Sequence, residues 1–258
     1  MSKVTAETAR AFVASAALPD APPVMRGDPA PTATLALEAG RAQAAVVGSE
    51  VLSFAADVAP EWRQDLIHSS LLAQLVAKKK VPEPSRVFER YDAYFDVLKN
   101  VGWVVLKEDF AIYAEDGQNF EAHSAILKVA AMLLGPSASA LALVSGTLNA
   151  LHSMDQSSPW ITLFARESQT AQTASFQISV AEATPEGGIV VALMAFGLDA
   201  RTELKQVLFF RARASDATLR HCSASVTIDT HVLASARETL KTRLAQHANR
   251  YILQLPDF

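Results

Sequence analysis

The sequence predicts an α+β fold, a single domain with a central, largely antiparallel sheet wrapped by helices. Three observations point to it. From Trp160 to Asp229 the chain reads as four or five strands joined by tight turns. In Phe176-Gln-Ile-Ser-Val180 and Cys222-Ser-Ala-Ser-Val-Thr-Ile228, apolar and polar residues alternate with period 2, which puts one face of a sheet in a core. Ile189 to Phe196 and Val207 to Phe210 are apolar on both faces, so helices must cover what the sheet cannot.

The elements follow in order. Thr5 to Leu18 reads as a short helix, and five prolines between Pro19 and Pro31 forbid helix and sheet alike. Residues 1–31 are therefore expected to be an N-terminal helix and Pro-rich arm, with 32–258 forming the domain. Ala44 to Val47 and Val51 to Phe54 read as a strand pair. Pro60 then opens a helix that runs to about Lys80, where three lysines face the C-terminal carbonyls and Pro82 and Pro84 stop it. Ser85 is a good N-cap for the next helix, whose apolar stripe is Phe88, Tyr91, Phe95 and Leu98. Trp103 to Leu106 and Phe110 to Tyr113 read as strand, ending in the turn Glu115-Asp-Gly117.

Between Glu121 and Asp155 the only full charge is Lys128. A membrane span wants roughly 20 continuous apolar residues, and Gly135-Pro136, several hydroxylated side chains and the lack of basic anchors argue against one. Two helices broken at Gly135-Pro136 and buried on the sheet fit better. The other reading is a hairpin buried in the protein that can move onto a bilayer. After the strands, Thr230 is expected to cap a helix to about Tyr251, with Leu233, Ala236, Leu240, Leu244 and Tyr251 on its buried stripe and Arg237, Lys241 and Arg243 outside it.

Composition narrows the function. With 50% hydrophobic and 19% charged residues the chain is globular, and a net charge of −4 without a basic stripe excludes nucleic acid as the expected partner. One cysteine, Cys222, excludes an internal disulfide framework. Glu7 and Arg10 interrupt the N-terminal apolar stretch, so no Sec signal is read. The expectation is cytoplasmic synthesis, followed by release through lysis or a dedicated secretion system. The six histidines include no i, i+4 metal pair, and His221 and Cys222 point to opposite faces of a strand. Glu186-Gly-Gly188 reads as a hairpin turn and no serine sits in a nucleophile elbow, so no enzyme is expected.

Trp160-Ile161 at the opening of the first strand, Gly188-Ile-Val-Val-Ala-Leu-Met-Ala-Phe196 and Lys205-Gln-Val-Leu-Phe-Phe210 resemble the insecticidal Cyt-type cytolysins, a delta-endotoxin family that takes in the volvatoxins. Phe54 to Trp62, running into a helix, is similar to the family's first strand-to-helix passage. The resemblance implies one Cyt-like domain with helical hairpins on both sides of a sheet. It implies a lipid-binding, membrane-active protein, cytolytic or pore-forming, whose partners are membrane lipids and further copies of itself as a homo-oligomer. Removal of an N-terminal segment, here between Pro19 and Pro31, is implied as well. The lipid-facing residues would be Val129, Leu133, Leu134, Leu141, Leu143 and Val144 on the helical pair, with Val191, Leu193, Phe196, Leu208, Phe209 and Phe210 after it. The Erwinia virulence factor, a distant relative of that fold, carries a fatty acyl chain on a cysteine. That gives Cys222 two readings, a small buried hydrophobe or the thioester attachment point of a fatty acid, the one cofactor expected. A soluble acyl-carrying virulence factor without lytic activity, or an interaction protein with a buried hairpin, are the alternatives. Arg211 and Arg213, read as sharing a strand face with Val207 and Phe209, mark either a solvated strand end or a contact with lipid headgroups.

Overall fold

The computed structural model describes residues 4–20, 36–83, 86–105, 109–113, 118–135 and 137–256. Most of the Pro-rich arm, Ser85, Pro136 and the Glu115–Gly117 turn lie outside them. The chain forms α1 (Ala6–Ser15), β1 (Gln43–Val47), β2 (Glu50–Phe54), α2 (Pro60–Lys80), α3 (Val87–Asn100), β3 (Trp103–Val105), β4 (Asp109–Tyr113) and β5 (Asn119–Glu121). It continues with α4 (Ala122–Leu134), α5 (Ala138–Ser153), α6 (Pro159–Ser168), β6 (Thr173–Ala183), β7 (Ile189–Ala200), β8 (Arg211–Arg213), β9 (Ala217–Ile228), α7 (Thr230–Tyr251) and β10 (Ile252–Gln254).

Among the described residues, eight strands make one mixed sheet in the order β10-β1-β2-β6-β7-β9-β3, with β4 also on β9. The meander β6-β7-β9 is antiparallel throughout, and β2 pairs with β6 in parallel. Period-2 alternation divides its side chains between two cores. Ala181, Val191, Leu193, Ala195, Cys222, Ala224 and Val226 face α1, α2, α3 and α7. Phe176, Ile178, Val180, Met194, Phe196 and Leu219 face α4, α5 and α6. The doubly apolar strand β7 thus has a helical layer on each side, as α/β-type strands buried on both faces require.

Two glycines fix close approaches. Gly48 turns β1 into β2 at φ 56°, and a Cβ there would stand 2.5 Å from Gln74 Oε1. Gly102, at φ 99°, would carry its Cβ 3.0 Å from the Asp229 carbonyl oxygen, so α3, β3 and the start of α7 meet only because it is glycine.

Five expectations are corrected. Trp160-Ile161 does not open a strand but lies in α6, whose first residue is Pro159; Ile161 and Phe164, one turn apart, go into the core and Trp160 Nε1 donates to the Gln254 carbonyl at 2.8 Å. Val207–Phe209 is a 3₁₀ turn, since a four-residue apolar run cannot by itself be told from a helical turn. Its backbone partner is the Gln169 amide, which accepts from Val207 N at 2.8 Å and donates to the Leu204 and Lys205 carbonyls. Arg211 and Arg213 therefore share no strand with Val207; they sit on β8, which pairs with β5. The N-cap of α7 is Asp229 rather than Thr230, with Oδ1 accepting from Val232 N at 3.1 Å. Phe88, expected on the buried stripe of α3, is 44% exposed.

Candidate functional site

The α4–α5 pair lies on the sheet as a hairpin. Val129, Leu134 and Val144 are buried; Leu133, Leu141 and Leu143 are half-buried. Its outer face carries Lys128, Ala131, Met132, Ala138, Ser139, Ala142 and Asn149, so a single cation interrupts an otherwise uncharged surface, and Met132 is 63% exposed. The two helices have 13 and 16 residues, and among the described residues no helix is long and apolar enough to cross a membrane.

Three sets of contacts hold the hairpin. At its tip, Ser137 Oγ and Ser139 Oγ donate to the Glu182 carboxylate of β6 at 3.3 and 2.8 Å, while Ser137 also caps α5 by accepting from Ala140 N. In the middle, Ser53 Oγ of β2 meets Thr147 Oγ1 at 3.0 Å, and the Thr147 hydroxyl hydrogen goes to the Leu143 carbonyl. At the base, His123 and His152 stack on each other and His152 on Phe209. Beside them Arg211 Nη2 meets Glu121 Oε1 at 2.6 Å.

On this face α5 lies over β2 and β6, and α6 over β1 and β6. Beyond them, between the hairpin tip and the β7–β9 pair, a groove of about 300 Å³ opens. Leu133, Leu134 and Ala140 form its wall, and Val190, Ala192 and Met194 its floor, with Ser137, Ser223, Ser225 and Glu182 polar around it. Glu182 is the one charged residue in that lining. The volume is at the low end of the roughly 300–1,000 Å³ of small-molecule sites, and the composition, apolar with a few polar groups, suits an apolar ligand.

The groove gathers only part of the expected lipid-facing set. Leu133 and Leu134 line it, whereas Leu193 borders it but is buried in the opposite core. Val129, Val144, Phe196, Leu208 and Phe210 are packed in the hairpin-side core, with Phe210 against Phe120 at 6.2 Å and Phe196 stacked on Phe176 at 5.0 Å. Val191 belongs to the opposite core, under α2, α3 and α7. Cys222 is a fully buried free thiol on that same opposite side, and it is not part of the groove lining. Sequence periodicity marked Ser223 and Ser225 as the polar face of β9. That Val190 and Ala192 lie partly uncovered is decided by where the hairpin ends.

A smaller cleft of about 40 Å³ lies between α2, α3 and β6, beside a buried polar cluster. The Glu50 carboxyl accepts from Ser179 Oγ at 2.6 Å, from Ser70 Oγ, from the Tyr94 hydroxyl at 3.3 Å and from Gln74 Nε2 at 3.4 Å. Burial raises its pKa above the usual carboxylate range against the pull of these donors. The cluster ties α2 and α3 to β2 and β6, and each hydroxyl in it is satisfied within the protein, which is the pattern of a framework network. Among the described residues no group of three or more His, Cys, Asp and Glu side chains could hold a metal ion.

No family model matches the chain, and no curated protein matches it. Solved structures do. A protein titled delta-endotoxin is 14% identical, with 80% of this chain and 90% of that one covered and a TM-score of 0.37. The activated Cyt2Ba monomer from Bacillus thuringiensis subsp. israelensis is 14% identical, with 69% and 96% covered and a TM-score of 0.40. The Evf virulence factor is 12% identical, with 73% and 69% covered and a TM-score of 0.30.

Proposed function

We propose that this chain is a non-enzymatic, toxin-like protein that binds lipid and acts on membranes through the α4–α5 hairpin and the groove beneath its tip. The groove carries the reading. Its apolar floor and wall, formed where β7 and β9 run out from under the helices, would accept an acyl chain. The nearly uncharged outer face of the hairpin supports it, because such a surface loses little on leaving water for an interface. Hairpin residues now buried on the sheet, Val129, Leu134 and Val144, would face lipid after the hairpin moves, and membrane-bound copies would associate into a homo-oligomer. Synthesis in the cytoplasm and later release complete the reading.

Dye release from liposomes tests it. Leakage at micromolar protein at pH 7.5 or pH 5.5, with or without N-terminal proteolysis, is the expected result; intact liposomes under all of these conditions overturn it. The groove equally supports a fatty-acyl carrier without lytic activity. Since Cys222 faces the other layer, an acyl chain in the groove would be held without a thioester, and intact-mass measurement of the wild type and Cys222→Ser separates the two forms of attachment.

A further inference from the structure

The base of the hairpin contains a pair of histidines that the lipid groove does not use. His123, in the first turn of α4, and His152, in the last turn of α5, stack with centroids 4.1 Å apart and planes inclined by 21°. His152 stacks in turn on Phe209, at 5.0 Å and 17°. Three segments, α4, α5 and the 3₁₀ turn, thus meet through one column of rings.

Neutral rings pack well in this way, whereas imidazolium rings at the same distance repel. The surroundings offer little to offset a charge. One ring nitrogen of His123 bonds to the Leu148 carbonyl of α5, while Nε2 is buried with no hydrogen-bond partner. From β5, Glu121 faces His123, but its carboxylate is engaged by Arg211 of β8. The turn Val207–Phe209 contributes no titratable side chain, and Lys128 of α4 and Lys205 before the turn are exposed. Burial, and then His152, lowers the pKa of His123. With the folded value below the ordinary one, its contribution to stability is complete above about pH 6.5 and is lost as pH falls.

We propose that the His123–His152–Phe209 column is a pH-sensitive clasp, closed on the sheet while the buried His123 ring is neutral and opened when acid charges that ring, so that the hairpin comes free. This rests on the membrane-active reading and supplies its trigger. It predicts that an acidic compartment or surface is where the hairpin moves.

Amide hydrogen exchange of the full chain in the absence of lipid tests the clasp apart from that reading. The comparison is between wild type and His123→Phe/His152→Phe, which keeps stacked rings that cannot take a proton, at pH 7.5 and 5.5. Intrinsic exchange chemistry is common to both proteins at each pH. The expected result is that protection over 122–153 falls in the wild type relative to the variant at pH 5.5, one unit below the ordinary imidazole value and so by at most about tenfold, while 173–200 stays matched. Equal protection in the two proteins at pH 5.5 overturns the clasp. If the double variant does not fold, His123→Gln alone serves, with the same two outcomes. Liposome leakage then separates the proposals: an opening hairpin with no leakage at either pH sinks the membrane reading alone, and leakage with identical pH dependence in wild type and variant sinks the clasp alone.

Discussion

Acid should also weaken the other helical layer, through a single residue on α2. His68 is largely buried, its Nδ1 has no hydrogen-bond partner, and its pKa is lowered to about 4, by burial first and by Lys241 second. A depressed folded value means that the unfolded chain binds the proton more tightly. The stabilisation is therefore complete above about pH 6.5 and drains away as pH falls toward 4. At pH 5 the solution is about 1.5 units below the ordinary imidazole value and still above the folded one, so at about 1.4 kcal/mol per unit the loss is about 2 kcal/mol. His68→Gln removes the titration while keeping a polar side chain of similar size. Denaturant unfolding at pH 7.5 and pH 5.0 should show the wild type losing about 2 kcal/mol more than the variant. The remaining acid-sensitive groups, among them His123, His221 and Glu50, act in both proteins and cancel in that difference. Parallel losses would refute the assignment and show that His68 is solvated in the folded protein.

Other predictions concern the framework and the groove. Arg237 makes a bidentate contact with the buried Asp65 carboxylate, at 2.9 and 2.7 Å, and lies over the Trp62 ring, so Arg237→Ala should cost about 3 kcal/mol in chemical unfolding. Asp65→Leu/Arg237→Met should cost less than that single change, because no uncompensated charge stays buried. Glu50→Gln, which retains an acceptor for Ser70, Ser179 and Tyr94, should lower stability by about 1 kcal/mol or less, whereas Glu50→Ala should lose about 2–4 kcal/mol. Ala192→Trp, on the partly exposed groove floor, should weaken binding of a fluorescent fatty acid at least tenfold with little change in thermal unfolding; unaltered binding would move the lipid site elsewhere.

Much of the architecture was legible along the chain. The strand pair β1–β2, the long helix from Pro60 to Lys80, the break at Gly135 and the closing helix all follow from local signals: proline at a first turn, a basic last turn, and apolar spacing of three and four. The errors lie where local pattern is silent. Four apolar residues at Val207–Phe210 satisfy strand and 3₁₀ turn equally well, and only the distant Gln169 amide settles the backbone partners. Phe88 fits a helical stripe but stands at the end of α3, beyond the reach of the core.

What the sequence alone determined is the division of labour: a sheet needing cover on both faces and an uncharged helical pair able to supply it. Tertiary structure decided which strand ends that cover fails to reach, and hence where the groove lies. It also decided that His123 and His152, 29 positions apart in the chain, become stacked rings. The physical reason is the same in both cases. Periodicity reports which face of an element is apolar, whereas the length and placement of one element over another, which set coverage and ring contact, are properties of the packed whole.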